Sequence, residues 1–117
     1  MSATNFEEFV EIMADEAPHA LALDWYRRLE LTIRDYLTAR RIDYKNGRNA
    51  ENRIATDPLL GKDIAVEIGK LRAVRNGIAH TAQQFSRAEA IGFARKAFEL
   101  IGVVLGAQDA RAASVRC

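Results

Sequence analysis

The chain has 117 residues, 49% of them hydrophobic and 28% charged, with a formal net charge of +1. That is enough for one domain, 1–117, with a real core, and it excludes collagen-like and disordered chains. One cysteine, Cys117, rules out an internal disulfide, and two histidines make no obvious metal cage, so neither a metal nor a cofactor is expected.

No apolar run reaches spanning length, and the first eight residues are acidic where a secretory signal would be basic and then apolar. A cytoplasmic protein with no membrane partner is therefore expected. The near-zero charge hides an asymmetry. Residues 1–24 hold Glu7, Glu8, Glu11, Asp15, Glu16 and Asp24 and no Lys or Arg, which leaves ten acidic against all 17 basic residues in 25–117, a net of +7. A basic body attracts nucleic-acid phosphates, although acidic residues also favour a first helix simply for its dipole.

In chain order, Thr4 or Asn5, paired with Glu7 or Glu8, carries capping chemistry. Phe6, Phe9, Val10 and Met13 then mark one face of a short helix over about 5–16, an acidic leader (1–17) that Ala17-Pro18 ends. From Pro18 to about Arg41 a stripe of Ala22, Tyr26, Leu29, Ile33, Tyr36 and Leu37 predicts the longest helix. Leu21, Leu23, Trp25 and Leu31 add apolar surface beyond that stripe, available for packing on the leader or for a second copy of the chain. Residues 42–61 are irregular, with turn signals at Asn46-Gly47 and Asp57-Pro58 and one short helix over 49–55. Lys45, Arg48 and Arg53, close to Tyr44, make a candidate strip for a nucleic-acid backbone.

Asp63 is placed to cap the next helix, whose stripe is Ile64, Ile68, Leu71, Val74 and Ile78. Ser86-Arg87-Ala88-Glu89 is a capping box, with Phe85 before it as a staple. The last helix follows with Ala90, Ala94, Ala97, Phe98, Ile101, Val104 and Leu105, and Gly106 is placed to end it before a flexible tail, 107–117. The fold class expected is all-α, a bundle of about four main helices plus a short one, with the last two antiparallel across residues 81–85.

The chemistry concentrates at 71–80. If the helix persists, Asn76 and His80 stand four apart on one face and Arg75 reaches the same side. A guanidinium fork, an amide and an imidazole together suit a phosphate, and Arg72 is a further candidate contact. The same residues also fit a helix end, with Arg72 and Arg75 in a last turn and Asn76-Gly77 as the stop. Arg75 lies at the edge of the apolar stripe, so it needs a carboxylate such as Glu67 or Asp35, or a cleft.

The run Leu71-Arg72-Ala73-Val74-Arg75-Asn76-Gly77-Ile78-Ala79-His80 resembles the signature of the HEPN superfamily, in which Arg, usually followed by a polar residue such as Asn, precedes His by four to six residues. The resemblance extends over roughly Leu21 to Leu105. It implies a HEPN-like helical bundle that forms a homodimer with the two motifs facing each other, and it assigns Arg75, Asn76 and His80 to the catalytic site. Many members are metal-independent endoribonucleases in toxin–antitoxin, phage-defence or RNA-processing systems. Others are non-catalytic modules that bind RNA or partner an antitoxin or a nucleotidyltransferase. One toxin branch carries Tyr two residues after the His; here Ala82 stands in that place, which argues against that branch.

Overall fold

The computed structural model describes the backbone of residues 3–81 and 85–116, and the side chains of 5–79 and 85–110. Within them the chain forms five helices and no strand: α1 (Ala3–Glu16), α2 (Pro18–Ala39), α3 (Gly47–Ala55), α4 (Gly61–Thr81) and α5 (Arg87–Arg116). The all-α bundle expected from periodicity is thus the fold observed.

α2 and α5 form the central pair. All six residues of the α2 stripe are buried, and α5 meets them with Ala90, Ala94 and Ala97, each fully buried. Three small side chains at helical spacing let the two backbones approach closely, and Phe93, Leu100 and Val104 fill the flanking space. Burying each such large side chain contributes about 1.5–3 kcal/mol. Phe98 and Leu105, expected on this stripe, are instead half exposed.

α1 lies across both, burying Phe6, Val10 and Ala14 with Met13 packed against them, so the expected inner face holds except at Phe9, which is exposed. Phe6 stacks on Phe98 at 4.1 Å and meets Trp25 edge-on at 5.1 Å, which places Trp25 against the leader helix. Glu7 and Asp15 pair with Arg95 and Arg87 on α5. Because α1 begins at Ala3, Thr4 and Asn5 lie inside it and not before it.

Pro18 occupies the first turn of α2 as expected. The far end of α2 closes in a Schellman motif: Arg41 N–H donates to Thr38 O and Ile42 N–H to Leu37 O, with Arg41 left-handed at φ 58°. At the start of α3, Asn46 accepts from Asn49 N–H as the N-cap.

The α3–α4 connection is tied back to α2 by a buried polar cluster. The Asp57 carboxylate accepts from the Tyr36 hydroxyl at 2.8 Å, from Arg40, and from the backbone N–H of Leu59 and Leu60, both at 3.0 Å. Burial, followed by the bond to Asp57, raises the Tyr36 phenol above its usual pKa. Asp57 therefore organises the entry to α4, and Asp63 sits within the first turn, where its charge favours the helix dipole without capping it. α4 packs mainly on α3, helped by Gly69: a Cβ there would stand 2.8 Å from Glu51 Oε1.

Three other expectations are corrected. α4 runs through Asn76-Gly77 to Thr81, so that pair is not a helix stop. α5, with 30 residues, is the longest helix and passes Gly106 to reach Arg116, so the segment assigned to a tail is helical up to Arg116. α5 also packs far more on α2 than on α4. α4 and α5 do meet away from their connection, where Glu67 and Lys96 lie 3.5 Å apart. The Ser86–Glu89 box forms in both directions, at 3.1 and 3.2 Å.

Candidate nucleic-acid interface

Helical geometry alone assembles the first wall. On α4, Ile68, Leu71 and Ile78 turn into the core, and Arg72, Arg75 and Asn76, spaced i, i+3, i+4, share a half-buried face beside it. That face looks across a groove of about 430 Å³ to Tyr26 and Glu30 on α2 and to Asn46, Gly47 and Arg48 at the start of α3. Continuation of α4 past Gly77 is what keeps the motif in one register. His80 follows Asn76 by four residues in the same helix; its side chain lies outside the described residues, as does Ala82.

The two arginines differ in what they have available. Arg72 makes a two-point pair with Glu51 on α3, through Nε to Oε2 and through Nη2 to Oε1, the latter at 3.2 Å. The bond to Glu51 raises the Arg72 pKa further. Both side chains are partly shielded from water, so Arg72 first of all fastens α4 to α3. Arg75 donates to Asn76 Oδ1 at 3.2 Å, and among the described residues no carboxylate lies within ion-pair distance of it. The carboxylates considered for it are engaged elsewhere: Glu67 with Lys70 and Lys96, Asp35 with Arg34. Arg75 takes the other course, facing a cleft.

Asn76, with its oxygen turned to Arg75, has its amide N–H groups left to offer. Tyr26, at the floor of the groove, is pushed up to about 12 by burial first and then by Glu30 and Glu51, so its phenol stays neutral.

The basic strip forms a second groove that joins the first. Lys45, Arg48 and Arg53 gather around Tyr44 at a hollow of about 510 Å³, and Asn46 and Arg48 line both hollows. Of the sequence candidates, Arg48, Arg72, Arg75 and Asn76 share the inner groove, while Lys45 and Arg53 stand at the outer one. Tyr26, Glu30 and Asn46 were not among the candidates. Tyr26 reads as core and Glu30 as solvent-facing, and no local pattern relates them to residues some 45 positions away.

Among the described residues there is no cluster of three or more His, Cys, Asp or Glu side chains suited to a metal, and no helix long and apolar enough to cross a membrane. Comparison of the chain with models of known families, with curated proteins and with solved structures finds no match.

Proposed function

We propose that the chain is the subunit of a HEPN-like, metal-independent endoribonuclease that works as a homodimer, of the kind that serves toxin–antitoxin, phage-defence or RNA-processing systems. The observation that carries the reading is the inner groove, where Arg75 and Asn76 of the motif face Arg48 and Arg75 has no carboxylate paired to it among the described residues. A partly buried guanidinium in that setting suits an anion supplied from outside.

Cleavage needs a base to take the proton of the RNA 2′-hydroxyl, an acid to protonate the departing 5′-oxygen, and cations for the charge gathering on phosphorus. Each chain brings one motif histidine, so two chains complete the set: His80 of one protomer acts as base and His80 of its partner as acid. Arg75 stabilises the phosphorane charge, and Asn76 holds Arg75 and orients the reacting group. Tyr26, neutral to about pH 12, serves as a donor and not as the base. The nucleophile is the RNA's own hydroxyl, so the products carry 2′,3′-cyclic phosphate.

RNA incubated with the pure protein in EDTA tests this. The wild type cleaves, and His80→Ala and Arg75→Ala each lower the rate by factors on the order of 10² or more with the helical circular dichroism unchanged. No cleavage by the wild type, together with loss of RNA or partner binding in Arg75→Ala, would instead identify a non-catalytic module serving an antitoxin or a nucleotidyltransferase.

A further inference from the structure

A third hollow of a different character adjoins both basic grooves. It is a slot of about 220 Å³, more enclosed than either groove, with Tyr26, Ile33, Tyr44 and Ile54 among its walls and Glu30 and Asn46 among its polar groups. Asn46 lines all three hollows, Tyr26 and Glu30 are shared with the inner groove, and Tyr44 with the outer one. The more apolar slot therefore shares walls with both cationic grooves.

The polar groups of the slot have a definite sense. Asn46 Oδ1 is used to cap α3, accepting from Asn49 N–H at 3.0 Å, so its side chain offers donors outward. Glu51, which also lines the slot, is committed to Arg72. Among the described residues, Glu30 has only a 3.9 Å approach from Arg27, an exposed pair of little strength. A carboxylate beside a phosphate groove opposes phosphate binding, unless it faces the part of the ligand that donates hydrogen bonds.

We propose that this slot seats a nucleobase of single-stranded RNA, guanine before the others, between two phosphates held by Arg75 in the inner groove and by Arg48 and Arg53 in the outer one. The proposal rests on the RNA reading above and names the substrate class and the specificity residue. Single-stranded RNA presents unstacked bases to aromatic walls and exposes their Watson–Crick edges. Guanine is the base whose edge offers two adjacent donors, N1–H and the N2 amino group, next to an acceptor, O6. That pattern matches a carboxylate at Glu30 and an amide donor at Asn46.

The test is equilibrium binding, by fluorescence anisotropy, of labelled 2′-O-methyl RNA heptamers, which cannot be cleaved because the nucleophile is blocked. One probe is all uridine; others carry guanosine, inosine or adenosine at the centre. The guanosine probe binds on the order of tenfold more tightly than the all-uridine probe, and inosine, which lacks the N2 amino group, loses most of that gain. Glu30→Gln brings the guanosine probe down to the level of the all-uridine one. Arg48→Ala and Arg53→Ala weaken every probe alike, each reducing the slope of log affinity against log salt by about one. In wild-type protein the Asn46 side-chain amide resonances shift with the guanosine probe and not with the uridine one, a readout that needs no variant. Absence of binding, absence of a guanosine preference, or a preference that Glu30→Gln leaves intact would overturn the proposal. If the preference follows Glu30 but the protein cleaves no RNA, the ribonuclease reading fails and the slot stands. Cleavage with no base preference would give the reverse.

Discussion

Replacing Asp57 with alanine removes the anchor that ties the α3–α4 connection, and with it the α3–α4 side of the grooves, to α2. The Asp57 side chain is 1% exposed and that of Arg40 is 13% exposed. The change leaves the Arg40 guanidinium without its anion, takes the acceptor from the buried Tyr36 hydroxyl, and strands the N–H groups of Leu59 and Leu60. Removing one member of a buried ion pair costs about 3–5 kcal/mol. That is a large part of the roughly 5–15 kcal/mol that holds a domain folded. For a chain of this length it corresponds to a fall in Tm on the order of 10–20 °C. Urea denaturation followed by circular dichroism reads the loss directly. Arg40→Ala and the double variant complete a cycle in which the two losses are far from additive, because the second removal no longer strands a charge. A loss below about 1 kcal/mol for Asp57→Ala, or additive losses, would refute the reasoning.

Two further outcomes follow from single residues. The Tyr26 phenol titrates at about 12 in the folded chain against 10.0 for an unperturbed tyrosine. The unfolded chain therefore gives up this proton first, and stability falls as pH rises from about 10 towards 12. The raised Tyr36 phenol acts in the same direction. For Tyr26 the shift amounts to about 2–3 kcal/mol above both pKa values, of which about half is lost by pH 11, and Tyr26→Phe removes this part of the alkaline loss between urea titrations at pH 9 and pH 11; an unchanged pH dependence would contradict it. Arg41, left-handed at φ 58°, holds a position that glycine fills without strain, so Arg41→Gly raises stability by about 1 kcal/mol on the same assay, and a loss would show that its side chain has a further role.

Much of the fold was legible because periodicity reports burial. The six-residue stripe of α2 and the Ser86–Glu89 box appear as read, since both depend on local spacing alone. The misreadings came where a residue type has two uses. Gly106 can end a helix, yet it lies within α5, and the residues after it include the good helix formers Ala107, Gln108 and Ala110. Asp63 resembles a cap, but Asp57, followed by Pro58, already binds the backbone at the turn. Asn76-Gly77 resembles a stop, and tertiary packing through Ile78 carries the helix past it. At the candidate site, the motif residues stand together because one helix holds them. The opposite wall of Tyr26, Glu30 and Asn46 exists only through tertiary packing, which no spacing in the sequence records.

The proposed composite site is tested most directly in a mixed dimer of one wild-type and one His80→Ala chain, purified through two different tags and assayed for RNA cleavage in EDTA. With base and acid drawn from opposite protomers, the mixed dimer retains one imidazole of the two it needs, and its rate falls nearly as far as that of the doubly substituted dimer. Retention of about half the wild-type rate would show that each motif works alone and would contradict the shared site.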